Sequence, residues 1–229
     1  MISVRRRLLL QLLIETKEGA SELNYLQDGL MLTDETFDDL ILGLTESKTI
    51  TLSENTVMLT LSQRLDVAVK ALESGADIEV VSRSLTWLEF EELSARVFEE
   101  NGFKVHRRFR FSAEGRRWEI DLFAFKKPWI ILAECKHWVQ GMSNSATRGV
   151  IERHLAKSNV LAEHIAEISL KARVNGWGVS IIIPMALTLS ATPLDIYSKV
   201  PSVSILSLPS FLSDFNGYLT HLATFKVNI

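Results

Sequence analysis

Three charged side chains stand inside two apolar runs of the segment WEIDLFAFKKPWIILAECKHW, residues 118–138. Asp121 lies in the first run, and Glu134 and Lys136 lie at the end of the second, beyond a Lys-Lys-Pro turn. Because side chains alternate along a strand, Glu134 and Lys136 should point to one face of a sheet and Cys135 to the other. The two carboxylates and the ammonium group can therefore converge at one edge of a sheet.

These side chains suit the hydrolysis of a phosphodiester. Mg²⁺ commonly takes one or two carboxylates, several waters and substrate phosphate oxygens, and it can activate water and offset charge at phosphorus. Lys136 would orient the attacking water or stabilise the developing negative charge. The structural alternative is a buried salt-bridge set made of Asp121, Glu134 and Lys136.

A further carboxylate belongs to the helix predicted in SLTWLEFEELSARVFEENGF, residues 84–103. Thr86 and Glu89 have the spacing of a capping box, and Gly102 supplies the stop signal. Glu91 lies on or beside the apolar stripe of this helix, where an unpaired carboxylate is costly. A shared metal site would give Glu91 a partner.

The elements after residue 84 are predicted in the order helix, three strands, helix, strand, helix, strand. The three strands cover about 104–111, 117–125 and 129–136, and they are followed by a helix at 145–170, the strand WGVSIIIP, a short helix at 193–199, the strand VSILSL and a helix from 209. This order predicts an α/β domain with a mixed sheet and helices on its faces.

The motifs FEELSARVFEENGFKV, EIDLFAF and ILAECKHW resemble the core of the Mrr-like and archaeal Holliday-junction-resolvase-like nucleases. These nucleases belong to the PD-(D/E)xK, or restriction-endonuclease-like, superfamily. The resemblance covers about residues 85–136 and implies an αβββαβ core that cleaves DNA with Mg²⁺, for which Mn²⁺ would substitute.

The resemblance also implies a role for each residue of the motifs. Glu91 corresponds to the helix glutamate, Asp121 to the metal-binding aspartate, and Glu134 with Lys136 to the ExK pair. The third metal contact, a backbone carbonyl, falls on Cys135. The residue before Asp121 is isoleucine where the superfamily name has proline.

The segment KVHRRFRFSAEGRRW, residues 104–118, contains six basic residues and one acidic residue. A basic hairpin beside an acidic site suits the positioning of DNA phosphates. Alternation predicts that Arg108 and Arg110 share one face while Arg107 shares the other with Phe109. The alternative is a solvated edge hairpin whose arginines discourage aggregation. The predicted DNA-binding residues are Arg107, Arg108, Arg110, Arg116, Arg117 and Arg148, and His137 and Trp138 could also contact a substrate.

Residues 1–75 form a predicted domain of three helices and a hairpin, the order of a winged helix-turn-helix, and residues 76–229 form the nuclease-like domain. The third helix, TDETFDDLILGLTES, carries five acidic residues, the wrong sign for contact with phosphates. We therefore expect the amino-terminal domain to contact a protein partner or to position the second domain.

The 229-residue chain has a net charge of −3 and a single cysteine, Cys135. One cysteine excludes an internal disulfide framework and fits a reducing, cytoplasmic setting. No apolar run is long enough to cross a membrane, and the short basic and leucine-rich start is interpreted as an amphipathic helix.

Two functions follow from these observations. The first is a Mg²⁺-dependent DNA endonuclease that acts in defence against foreign DNA or in repair and recombination, as a homodimer because both strands must be cut. The second is a non-catalytic DNA-binding or regulatory protein built on a nuclease-like fold. A regulator has no need for Glu134 and Lys136 together and should bind DNA without divalent metal.

Overall fold

The structure is a computed structural model that describes residues 2–136, 144–189 and 196–229. The chain divides into two compact units, Met1–Glu89 and Phe90–Ile229. This division lies later in the chain than the boundary predicted after residue 75, because the helix Ile78–Ser84 contacts other helices of the first unit.

The first unit contains five helices and three short strands among its described residues. The helices are α1 Ile2–Glu15, α2 Leu23–Leu30, α3 Asp34–Glu46, α4 Leu61–Glu73 and α5 Ile78–Ser84, and the strands are β1 Ser21–Glu22, β2 Thr51–Ser53 and β3 Thr56–Met58. The strands pair in the order β1-β3-β2. Three helices followed by a hairpin and a further helix agree with the predicted order, whereas β1 and α5 were not predicted. The winged-helix assignment stays a prediction.

Local sequence signals account for these helices. The Thr33 hydroxyl accepts a hydrogen bond from the Thr36 N–H at the start of α3, and Thr60 and Gln63 form a capping box at the start of α4. The leucines of α1 are buried at helical spacing, so this segment is the amphipathic helix that was predicted. Among the described residues, no helix combines the length and the apolar character that crossing a membrane requires.

A buried arginine connects several elements of the first unit. Arg64 on α4 forms an ion pair with Glu89, and each side chain is only 5% exposed. The guanidinium also donates to the Leu13 carbonyl at 3.0 Å, the Thr16 hydroxyl at 2.7 Å and the Ser84 carbonyl at 2.7 Å. The charge of Arg64 is therefore fully matched by acceptors from α1, α5 and the segments that follow them.

We expect Arg64→Met to lower the free energy of unfolding by about 3–5 kcal/mol, because Glu89 is left as a buried charge without its partner. Urea denaturation of the full chain, followed by circular dichroism, measures this change. The matched control is Arg83→Met, which removes an exposed pair with Glu79 and should cost less than about 1 kcal/mol. Equal losses in the two variants would contradict the importance of the buried pair.

The second unit is a seven-stranded mixed sheet with helices on both faces. Its elements are α6 Trp87–Glu100, which begins in the first unit, β4 Lys104–Ala113, β5 Arg116–Lys126, β6 Trp129–Lys136, α7 Asn144–Ala172, β7 Val179–Thr188, β8 Ile196–Tyr197, β9 Val200–Ser204, α8 Leu208–Tyr218, a 3-10 turn Leu219–His221 and β10 Phe225–Asn228. Strands β4, β5 and β6 form an antiparallel meander, and β6, β7 and β9 are parallel. The predicted α/β class and the αβββαβ order are confirmed.

Two apolar clusters cover the faces of the sheet. Residues of α6 and α8, including Phe90, Phe98 and Phe215, pack on one face, and residues of α7, including Leu161 and Ile165, pack on the other. Strand β7 contributes to both clusters, which agrees with its prediction as a strand buried on both faces.

Two local predictions have different outcomes. The turn at Glu114 and Gly115 joins β4 to β5, and both residues have positive φ, 52° and 73°, as a tight hairpin turn requires. The helix predicted at 193–199 is wrong for its described part, because Ile196–Tyr197 is strand β8 and the next two residues have positive φ. Residues 190–195 lie outside the described part of the chain.

Candidate active site

The candidate site lies where β5 and β6 part. The backbone pairing of these strands extends from Lys126 and Trp129 to Leu122 and Ala133. At the next position along β5, the Asp121 carboxylate accepts a hydrogen bond from the backbone N–H of Cys135 at 2.8 Å. A side chain therefore connects the two strands in place of a backbone hydrogen bond, and this contact brings Asp121 to the end of β6.

Glu134 occupies the centre of a group of cationic side chains. Its Oε1 atom lies 2.7 Å from the Lys136 ammonium, and its Oε2 atom lies 2.6 Å from the Lys157 ammonium. His154 Nδ1 lies 3.4 Å from the same Oε2 atom, at the limit of hydrogen bonding. The predicted alternation holds here, since Glu134 faces α7 whereas Cys135 is fully buried in the cluster on the other face.

The sequence did not predict that His154 and Lys157 would contact Glu134. Lys157 also donates to the backbone carbonyl of Glu119 on β5 at 2.8 Å, so it connects α7 to both strands. His154 Nε2 lies 2.8 Å from the Leu132 carbonyl, which can only accept, and therefore Nε2 carries a proton.

A sequence signal for His154 did exist. His154 stands within a buried stripe of α7 at helical spacing, formed by Ile151, His154, Ser158, Leu161 and Ile165. A histidine within such a stripe needs a polar partner, but the sequence does not name that partner.

The environments of the two acids move their pKa values in opposite directions. Burial, followed by the charge of Glu134, raises the pKa of Asp121 to about 6, although the Cys135 N–H and the two lysines oppose this change. Burial also acts to raise the pKa of Glu134, but His154, Lys157 and Lys136 outweigh it and hold that pKa well below its usual range. Near neutral pH, Glu134 is a permanent anion while Asp121 is close to its own titration.

Glu91 approaches the same region from α6. Its side chain is buried and forms an ion pair with Arg108 Nε at 3.0 Å. Burial raises the pKa of the Cys135 thiol, and the charges of Asp121, Glu91 and Glu134 raise it further. The four predicted catalytic residues therefore surround the end of β6, and Cys135 is not a thiolate nucleophile.

The arginines of β4 are paired with glutamates. Arg107 contacts Glu92 at 2.6 Å and Glu99 at 2.9 Å, and Arg110 contacts Glu119 across the strands at 2.6 Å. Hydrogen bonding to Glu92 is the main cause that raises the pKa of Arg107 above its usual value. Glu92 also lies 4.0 Å from Arg96, which follows it by one helical turn on α6.

The predicted orientation of Arg107 is wrong. Arg107 and Arg108 both contact glutamates of α6, whereas Phe109 packs in the cluster on the α7 side. Arg108 has φ 50°, in the left-handed region, which interrupts the strict alternation of side chains along β4.

The other predicted DNA-binding residues lie elsewhere. The Arg116 guanidinium lies 3.3 Å above the centre of the Trp118 ring, and Arg117 is exposed. The Arg148 guanidinium lies 5.3 Å from the centre of the Tyr197 ring. His137 and Trp138 lie outside the described residues.

The donor set fits a hard divalent cation. Asp121 and Glu134 are two carboxylates close enough for one to raise the pKa of the other, and a cation between them would remove that penalty. Within residues 2–136, 144–189 and 196–229, no group of three or more His, Cys, Asp or Glu side chains could hold a metal ion. The fit therefore depends on two carboxylates together with the Cys135 carbonyl, water and substrate oxygens.

A comparison with known protein families covers the same part of the chain. Residues 82–159 match a family model, Mrr_cat, described as a restriction endonuclease. This part of the chain is restriction-endonuclease-like. The matched residues include the whole candidate site, so the resemblance predicted from the motifs is confirmed, and the match supports a nuclease-type function for this domain.

Two solved structures are also similar to the chain. Restriction endonuclease FokI is 14% identical, with a TM-score of 0.39, over 93% of this chain and 44% of its own. Protein VC1899 from Vibrio cholerae is 10% identical, with a TM-score of 0.38, over 95% of this chain and 57% of its own. The chain therefore spans about half the length of these structures. No curated protein matches it.

The raised pKa of Asp121 predicts a specific dependence of stability on pH. Between its ordinary value of 3.8 and its folded value of about 6, the folded chain binds more protons at Asp121 than the unfolded chain, so this group lowers stability as pH rises. Asp121→Asn cannot ionise and should gain stability relative to the parent chain over this window, by about 1–3 kcal/mol at pH 7. Urea denaturation in EDTA from pH 4 to 8 measures the difference.

Glu134 has a lowered pKa and therefore stabilises the folded chain as pH rises. It is present in both the parent chain and Asp121→Asn, so its contribution to stability cancels in the comparison. Glu100→Gln, which alters an exposed carboxylate on α6, is the control and should follow the parent chain at every pH. A difference between Asp121→Asn and the parent that stays constant across the pH range would contradict the raised pKa.

Lys157→Met should lower the free energy of unfolding by about 2–4 kcal/mol, because Glu134 loses one of its close cationic partners in a mostly buried site. In a Glu134→Gln background the same substitution should cost less, since the charge that Lys157 neutralises is absent. Urea denaturation of the two single variants and the double variant measures this coupling. Lys226→Met, at an exposed position of β10, is the control, and additive losses would contradict the pairing.

Proposed function

We propose that this protein is a metal-dependent DNA endonuclease that hydrolyses phosphodiester bonds. The observation that carries the proposal is the convergence of Asp121, Glu134 and Lys136 where β5 and β6 part, with the pKa of Asp121 raised to about 6 and that of Glu134 held well below its usual range. Separated pKa values of neighbouring acids are typical of catalytic sites. The restriction-endonuclease match over the same residues supports the proposal.

Each residue has a role that follows from its contacts. Asp121 and Glu134 would hold Mg²⁺ or Mn²⁺, together with the Cys135 carbonyl. Lys136 would orient the attacking water and stabilise negative charge on the phosphate, since its ammonium lies beside Glu134. Glu91 would support the site from α6, where it forms an ion pair with Arg108. When bound, the metal would supply positive charge that offsets the charge developing on the phosphate.

His154 and Lys157 act through Glu134 and are positioning residues. They fix the carboxylate from α7 and keep it ionised, so that it needs no deprotonation before it binds a cation. Both oxygens of Glu134 contact ammonium groups, so a metal bound by this carboxylate would share its oxygens with Lys136 and Lys157.

The proposal extends to the biological role and the oligomeric state of the protein. Defence against foreign DNA or repair and recombination would both use such an enzyme, and a homodimer would allow both strands to be cut. The single buried cysteine suits the cytoplasm. Residues 1–75, the proposed winged-helix-like domain, would contact a protein partner or position the second domain, because its third helix is acidic.

One observation favours a second function. The engagement of both Glu134 oxygens by lysines also suits a DNA-binding or regulatory protein that has the fold of a nuclease without its activity. Such a protein would bind DNA in the absence of divalent metal and would leave it intact.

Incubation of the full chain with plasmid DNA and with a four-way junction, in Mg²⁺, Mn²⁺ or EDTA, tests the two functions. We expect cleavage only with divalent metal, and we expect Asp121→Asn, Glu134→Gln and Lys136→Ala each to slow it by roughly 10²–10⁴-fold. Gel electrophoresis of the products measures the rates.

The matched controls are Glu100→Gln and Lys226→Met, which alter an exposed acid and an exposed lysine and should leave the cleavage rate unchanged. Circular dichroism of each variant shows whether it is folded. Binding of DNA without cleavage in every metal condition would overturn the nuclease assignment and favour the regulatory function.

A further inference from the structure

A pocket of about 400 Å³ opens beside the catalytic carboxylate, between the start of β5 and helix α7. We call it the α7 pocket. Beside His154, its lining includes Arg116, Trp118, Glu134, Lys136, Arg153 and Lys157. Four cationic side chains therefore surround one carboxylate, so the pocket suits an anion.

Some arginines of the second unit are paired with acidic side chains, and others are not. Arg107, Arg108 and Arg110 on β4 each form an ion pair with a glutamate, at 2.6–3.0 Å. In contrast, Arg116 and Arg153 form no ion pair with any residue that the structure describes. Their charges remain available to a ligand, and both residues line the α7 pocket.

Arg116 is preorganised to bind an anion. The central carbon of its guanidinium lies 3.3 Å from the centre of the Trp118 ring, and the indole N–H donates to the Ala113 carbonyl at 3.2 Å. Stacking occupies one face of the guanidinium and leaves the N–H groups at its edge free to donate. Paired donors of this kind match phosphate oxygens in geometry as well as in charge.

The two lysines of the pocket are less available to bind phosphate oxygens. Lys136 and Lys157 lie 2.7 Å and 2.6 Å from the two oxygens of Glu134, so this carboxylate balances one of their two positive charges. Arg116 and Arg153 add two positive charges that no carboxylate of the pocket lining balances, so most of the net positive charge of the pocket resides on them.

We infer that Arg116 and Arg153 bind backbone phosphates of the DNA strand beside the phosphate that is cleaved. The inference rests on the proposed function for its substrate. It retains Arg116 from the predicted DNA-binding residues and adds Arg153. Arg107, Arg108 and Arg110 use their charge within the protein, between β4, β5 and α6. DNA enters the site on the face of the sheet that carries α7.

The dependence of DNA binding on salt concentration tests this inference. The affinity of the full chain for a fluorescein-labelled 20-base-pair duplex is measured by anisotropy in EDTA from 50 to 300 mM salt, where metal-dependent cleavage is suppressed. We expect Arg116→Ala and Arg153→Ala each to weaken binding several-fold at 100 mM salt. Each should also reduce the slope of log affinity against log salt by about one.

Arg110→Ala is the matched control, because it removes an exposed arginine of the same hairpin that is already paired with Glu119. It should leave the slope unchanged. The inference would be overturned if Arg110→Ala reduced the slope as much as Arg116→Ala, if neither pocket variant changed the slope, or if the parent chain did not bind DNA.

A second substitution separates charge from geometry. Arg116→Lys keeps the charge but loses the stacked, two-pronged donor, so it should retain most of the salt slope while still weakening binding. Thermal melts confirm that each variant is folded. Failure of the nuclease proposal is distinguishable: binding that depends on Arg116 and Arg153 without any cleavage would refute the activity and leave the phosphate contacts of these two arginines standing.

Discussion

The burial of Glu134 is the constraint on which the arrangement of this site depends. An ionised carboxylate that is mostly removed from water is costly unless cations and donors surround it. Lys136 comes from the same strand, but Lys157 and His154 come from α7. The helix must therefore lie at one height and one rotation on the sheet for the carboxylate to stay ionised, and the packing of Leu161 and Ile165 beneath it has the same requirement.

The charge of Asp121 is less well compensated than that of Glu134. It accepts a hydrogen bond from the Cys135 N–H, but among the described residues no ammonium group is as close to it as those that contact Glu134. Burial and the neighbouring anion therefore raise its pKa. A buried carboxylate in this state is destabilising for the folded chain alone and favourable for the binding of a cation. Such a cost to stability is typical of a functional site.

The parts of the site that depend on local geometry were predictable from the sequence. Alternation placed Glu134 and Lys136 together, the capping pattern located the start of α6, and the two turn residues located the β4–β5 hairpin. Contacts between distant elements were not predictable. Glu92 has Arg96 at helical spacing, yet its closest partner is Arg107, which a left-handed residue at Arg108 turns toward α6. The partners of His154 and Lys157 likewise became visible only when α7 was placed on the sheet.

The spacing of residues along α7 limits how this site can change in evolution. Arg153, His154 and Lys157 belong to one turn of one rigid helix, so insertion or deletion of a single residue within that turn rotates the flanking parts by about 100° relative to each other. Such a change would remove the partners of Glu134 and reshape the α7 pocket in one step. Substitution at individual positions can adjust the anion-binding surface, whereas variation in the length of this helix cannot. We therefore expect homologous chains to differ here in side chains and to agree in spacing.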